Sequence, residues 1–221
     1  MSEDELKSSK RILDPVERWS EVLFGLIMVL GFTSTVSAVH SGRPEVRTMI
    51  VGALGCNLAW GLVDAIMYLM ASLSQKGHGL ATLNALVSAH TQKDAYRVIR
   101  SGLPEIVVKC LDEAQLEEMR VALLRLPIPA RVRLNQDDWR GAIGVFLLVF
   151  LSTFPVVTPF IFFPDHVRTA LRYSNVVAIV MLAITGYAYG RYSGGPKWMW
   201  ALSMVLLGAA MVLITVKLGG V

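Results

Sequence analysis

The sequence predicts an all-α integral membrane protein, with five transmembrane helices and a helical cytoplasmic insert between helices two and three. Three observations predict it. Five runs are almost free of charge, and each is close to the roughly 20 residues that a helix needs to cross a bilayer. The 221-residue chain is 54% apolar and only 17% charged, where soluble domains carry about 25% charged residues. The runs do not alternate as barrel strands would, so helices, which satisfy their own backbone hydrogen bonds in lipid, are the default. This composition excludes a disordered chain, a disulfide-stapled secreted scaffold and an ordinary soluble enzyme. Cys56 lies in an apolar run and Cys110 in a polar segment, so a disulfide between them is not expected.

The elements follow in order. Residues 1–21 form a polar tail, Met1-Ser2-Glu3-Asp4-Glu5 onward, unlike a signal peptide. Residues 22–73 hold helix one (22–39) and helix two (49–73), the latter with a single acid, Asp64. Residues 74–140 form the insert. There Leu80, Leu83, Val87 and His90 recur at helical spacing, and Ser101 to Glu105 reads as a helix start with proline in the first turn. The following helix is expected to run over 105–126, until Pro127 and Pro129 end it. Residues 141–221 hold helices three (141–163), four (173–190) and five (198–216). Pro155 and Pro159 are expected to break up helix three in its outer half. Gly186, Gly190 and Gly208 offer close helix packing in helices four and five.

Five crossings place the termini on opposite sides. The tail, the insert and the loop with Arg191 and Lys197 would carry sixteen Lys and Arg, against five on the other side. Without the insert the count is still six against five. The positive-inside rule therefore puts the N-terminus and insert in the cytoplasm. The compact chain, without an organelle-targeting pattern, suits a bacterial or archaeal inner membrane. A net charge of +4 with no basic stripe interleaved with aromatics argues against nucleic acid. No nucleophile–base constellation, P-loop or dinucleotide fingerprint appears, so an enzyme is not expected.

Asp64 is the sharpest chemical signal, because a carboxylate in the middle of an apolar run is expensive and should face protein or water. Cys56, Trp60, Asp64, Met67 and Tyr68 share one broad helical face, which offers carboxylate, thioether and thiol. The structural alternative is a protonated Asp64 bonded to Asn57 or a nearby carbonyl. Glu21 and Arg18 stand where helix one begins, as an ion pair or as the mouth of a path. Met28 lies two turns deeper and reads as packing or as a soft ligand. In the insert, Glu113 and Glu117 are spaced i, i+4, as are His90 and Asp94, and Glu118 adjoins. Such pairs bind divalent ions or simply line solvated helix faces.

Together these features resemble the vacuolar iron transporter family, over residues of about 18 to 220. In helix one the family reads approximately E-x-x-F-G-x-x-D-G-L, and this chain has Glu21-Val22-Leu23-Phe24-Gly25-Leu26-Ile27-Met28-Val29-Leu30. Asp64 in Gly61-Leu62-Val63-Asp64 falls at the family's helix-two acid. Pro155 and Pro159 match its helix-three proline pair, and Gly186-Tyr187-Ala188-Tyr189-Gly190-Arg191 ends helix four in a family-like way. The resemblance implies a homodimer that moves Fe2+ or Mn2+ in exchange for protons, with the metal as cargo and no resident cofactor. It implies a path through Asp64, Glu21, Met28 and Met67, and metal capture by Glu113, Glu117 and Glu118. The family's helix-one aspartate aligns with Met28, and its helix-two methionine with Trp60. The alternative is a non-transporting membrane scaffold or sensor of the same fold.

Overall fold

In a computed structural model of the chain, the described residues are 15–39, 43–127, 129 and 131–218, and they form eight helices. The first 14 residues, with Lys7, Lys10 and Arg11, lie outside the described residues, as does His40. α1 spans Pro15–Val39 and so starts seven residues before the apolar run. Pro15 loses no hydrogen bond in the first turn, and Glu17 complements the positive helix end there. α2 spans Arg43–Val87, 45 residues. At 1.5 Å per residue that is about 68 Å, over twice the bilayer core. It does not stop at 73 as expected. The polar residues beyond that point are ordinary helix formers, and Gly77 and Gly79 are tolerated within it at about 1 kcal/mol each relative to alanine. His90 lies past its end.

The chain divides into two compact units, Met1–Tyr68 with Gln136–Val221, and Leu69–Asn135. In the first unit, α6 (Gln136–Phe162), α7 (Val167–Tyr189) and α8 (Lys197–Leu218) join α1 and the first part of α2. α1, α6 and α7 pack against one another, and α8 packs on α7 and α1. Leu26, Val29 and Leu30 of α1, Met49 and Ala53 of α2, Val156 and Phe160 of α6 and Leu182 of α7 form its buried core. Among the described residues, four helices are long and apolar enough to cross a membrane: Val46–Val87, Gln136–Phe162, Val167–Tyr189 and Lys197–Ile214. In α1 the charge-free stretch runs from Val22 to the end of the helix at Val39.

The apolar surface is on the outside. Leu202, Leu206, Leu213 and Ile214 of α8, and Ile143, Leu151 and Ile161 of α6, are all exposed. Thr33, Asn57, Ser152, Thr153, Ser174 and Thr185 are buried instead. Apolar surface on this scale marks a face meant for lipid or a partner. α6 continues through Pro155 and Pro159 rather than breaking. Side-chain hydroxyls support its backbone there: Thr158 Oγ1 donates to Phe154 O at 2.7 Å and Ser174 Oγ of α7 to Val156 O at 2.7 Å. The carbonyls that the prolines leave without a helical donor are different ones, those of Leu151 and Pro155. The glycines expected to allow close packing do so. A Cβ at Gly186 would lie 2.6 Å from Trp200 O, and one at Gly208 2.7 Å from Leu182 Cδ1.

The second unit contains α3 (Gln92–Ser101), the single turn α4 (Glu105–Val108) and α5 (Glu113–Leu124). The helix expected over 105–126 is therefore two helices, and Ser101 ends α3 instead of starting the next. Asp112 decides the break. Its carboxylate accepts from Gln115 N at 2.8 Å while its own N–H donates to Gln115 Oε1 at 3.0 Å. This reciprocal capping box satisfies two donors that a continuous helix would use otherwise. Leu116, fully buried, packs with Leu86, Ala95 and Ile99. Leu116→Ala is expected to destabilise this unit by about 2–5 kcal/mol. Amide hydrogen exchange should rise across α3 and α5 and stay unchanged in α6 to α8.

Candidate functional site

α1 and α2 each turn one polar-bearing face toward α6. On α1 the face carries Glu21, Gly25 and Met28, and on α2 it carries Asn57, Gly61 and Asp64, all at i, i+4, i+7. The glycines let the backbones close in. A Cβ at Gly25 would strike Ser152 Oγ and lie 2.7 Å from Val149 O, and one at Gly61 would lie 3.1 Å from Phe146 O. Asn57, fully buried, joins the three helices. Its Nδ2 donates to Gly25 O at 3.0 Å and also to Thr153 Oγ1. Ser152 Oγ beside it donates to Val149 O at 2.7 Å. Interhelical hydrogen bonds in a membrane setting are worth about 0.6–2 kcal/mol each.

Below this clamp Glu21 lies within charge–charge range of Asp64 and of Glu17. Both are partly buried. Glu21 Oε2 is buried and accepts no hydrogen bond among the described residues, and the same holds for Asn57 Oδ1. Glu21 forms no ion pair with Arg18. Asn57 is not the partner of Asp64 either. Seven residues separate them, about 10 Å along the helix axis, and the Asn57 amide is engaged by Gly25 and Thr153. Carboxylates that feel each other's charge in an apolar surround are stabilised by a proton or a nearby cation.

The other predicted residues fall in different places. Met28 is partly buried on the face of α1 that holds Glu21 and Gly25. Met67 is 60% exposed, on an outward stripe with Val63, Ile66 and Met70, and is not brought to Asp64. Trp60 is also exposed, so the broad face expected on α2 divides into a buried stripe and an outward one. In the second unit Glu113 and Glu118 are exposed. Glu117 is held by Arg120 (Nη2 to Oε1, 2.6 Å; Nε to Oε2, 2.9 Å) and accepts from Gln92 Nε2 and Tyr96 OH at 3.1 Å each. Asp94 accepts from Thr91 Oγ1 at 2.6 Å and faces Arg97 at 3.5 Å. Among the described residues no three His, Cys, Asp or Glu side chains gather as a metal site.

The Arg120 guanidinium, helped by Gln92 and Tyr96, holds the Glu117 carboxyl at about 2, well below its ordinary 4.5. A lowered folded-state pKa means the stabilisation is complete above the ordinary value and is lost as pH falls through about 2. Amide protection of α3 and α5 should therefore decline between those two values in the native chain. Glu117→Gln should start less protected and show little further change over that interval.

Asn57, Ser152 and Thr153 are the site residues that periodicity alone misses. Their signal is a polar side chain inside an apolar run, and Asn57 stands two turns before Asp64 with Gly61 between them. Against known families, residues 99–220 match the VIT family, which is 122 of the 221 residues and takes in α4 to α8 but neither α1 nor α2. No curated protein matches the chain. With more than half its length matched and four apolar helices fit to cross a bilayer, this integral membrane protein belongs to the VIT family, the vacuolar iron transporters, a family of metal-ion transporters rather than enzymes.

Proposed function

We propose that the chain carries a divalent transition metal, Fe2+ or Mn2+, across its membrane in exchange for protons. The observation that carries this reading is Glu21 within charge range of Asp64 at the junction of α1, α2 and α6, with a buried oxygen of Glu21 unpartnered. Carboxylate oxygens suit hard and borderline divalent ions, and a site that alternates between protons and a cation couples the two flows. Asp64 is the main carboxylate of the path, Glu21 its cytoplasmic mouth, and Met28 a soft lining. α1 completes five crossings, with the N-terminus and the 74–140 insert on the cytoplasmic side of a bacterial or archaeal inner membrane. The working unit is a homodimer. Met67, pointing outward, contributes only if the second protomer covers it. Glu113 and Glu118 attract metal electrostatically at the insert surface, while Glu117 stays engaged with Arg120.

A second reading is favoured by specific features. Met28 stands where the family has an aspartate, and Glu117 is occupied by an arginine. A scaffold or sensor of the same fold that no longer transports accounts for both. Proteoliposomes loaded with a metal-sensitive dye separate the two. Uptake of ferrous iron or manganese that is driven by a pH gradient supports transport. No flux of iron, manganese, cobalt or zinc from folded protein sinks it and leaves the scaffold.

A further inference from the structure

Outside this path, a cavity of about 540 Å³ opens along α1, α6 and α7 in the first unit. Arg18 and Arg140 stand where α1 and α6 begin their apolar stretches, and Val22, Leu147, Leu151 and Met181 line the rest. We propose that this groove holds an anionic phospholipid, with its phosphate on the two arginines and an acyl chain along the apolar wall. The size is that of a ligand pocket. The direction fits as well. From Arg140 to Leu151 the α6 wall runs eleven residues, about 16 Å at 1.5 Å per residue, close to the hydrocarbon depth of one leaflet.

Charge complementarity selects the occupant. Two guanidinium groups at the polar end of an apolar groove match a phosphodiester above its acyl chains, and basic pockets between membrane helices bind anionic headgroups. Arg140 gives one N–H to Asp137 at 3.2 Å in an exposed pair, which leaves further donors of its five for a phosphate. A second copy of this chain is the poorer occupant. A two-fold contact opposes the same patch to itself, so Arg18 and Arg140 would face their own like charges. A zwitterionic lipid offers the same chains but cancels the headgroup charge that the arginines recognise. Ser152, beside the Asn57 clamp, also lines the cavity, but neither arginine is a carboxylate of the proposed metal path, so failure of metal flux leaves this proposal standing.

The test is native mass spectrometry of the purified full-length chain, mixed with equal amounts of phosphatidylglycerol and phosphatidylcholine of the same acyl length. Phosphatidylglycerol should be retained preferentially. Arg18→Gln and Arg140→Gln should each weaken its retention about fivefold, and together roughly 25-fold. Leu147→Trp, which fills the groove and leaves both arginines, should also lose the lipid. Each variant is checked for native circular dichroism and thermal midpoint. Equal retention of the two lipids, or an undiminished phosphatidylglycerol signal in the double arginine variant, overturns the proposal. So does displacement of the lipid by millimolar inorganic phosphate, which would make the site one for free anions. A double variant that changes the monomer–dimer balance while keeping its lipid would instead assign the groove to a contact between copies.

Discussion

Asp64→Asn is expected to cut metal flux by a hundredfold or more while the protein still folds. Asparagine keeps the shape and one acceptor oxygen but removes the charge. In this chain that loss is large, because Met28 is apolar and Asp64 is the one acid within the apolar run of α2. At an effective dielectric of about 20, a unit charge about 4 Å from a cation is worth about 4 kcal/mol, which is more than a hundredfold in occupancy. Glu21→Gln should slow flux less, since the mouth concentrates the ion but does not hold it alone. Dye-loaded proteoliposomes read both variants, with circular dichroism confirming the helices. Undiminished flux in Asp64→Asn would remove this residue from the path. Flux absent from the native chain as well would leave the scaffold reading.

The largest structural effect is expected at Gly25. A Cβ there meets Ser152 Oγ and Val149 O at once, and the second is backbone that cannot swing aside. Gly25→Val should push α1 off α6, pull Gly25 O away from Asn57 Nδ2, and leave a buried amide without its acceptor. Overpacking costs about 1–3 kcal/mol, and the broken interhelical bond adds about 1 kcal/mol. The thermal midpoint followed by tryptophan fluorescence should fall markedly. Gly55 supplies the control. It lies on the same helix as Asn57, and nothing stands within 4 Å of a Cβ placed there. Gly55→Ala should be neutral or stabilising by up to about 1 kcal/mol. An equal loss in both variants would mean that helix flexibility, and not the α1–α6 approach, is what the glycines provide.

The membrane class and the helical composition were legible in the sequence because they depend on local quantities. Runs without charge, proline positions and helical spacing are properties of neighbouring residues, and lipid leaves an isolated backbone little choice but the helix. The cost of a carboxylate at Asp64 was legible for the same reason, since it is set by the apolar residues on either side. Gly186 and Gly208 were readable as close-packing positions from residue size alone. The ends of the elements were less so. α2 runs on to Val87 because nothing near residue 73 stops a helix, although the apolar run ends there. The expected long helix of the insert divides at Asp112 because one reciprocal cap competes well with helix continuation. α6 continues through two prolines, although each removes one helical hydrogen bond, because it is packed between α1 and α7.

What the sequence by itself determined is therefore which segments are helical and apolar, and that a carboxylate stands among them. Only the tertiary structure decided which groups meet. It brings Glu21 within charge range of Asp64, gives the Asn57 amide to Gly25 and Thr153 instead of Asp64, turns Met67 outward and sets Gln92 and Tyr96 of α3 on the Glu117 carboxylate of α5. These pairings join residues on different helices, up to 96 positions apart in the case of Asn57 and Thr153. Periodicity places a side chain on a face of its own helix, but the partner across the gap is set by how closely the helices pack. Here Gly25 and Gly61 set that distance, because neither carries a side chain to hold the backbones apart.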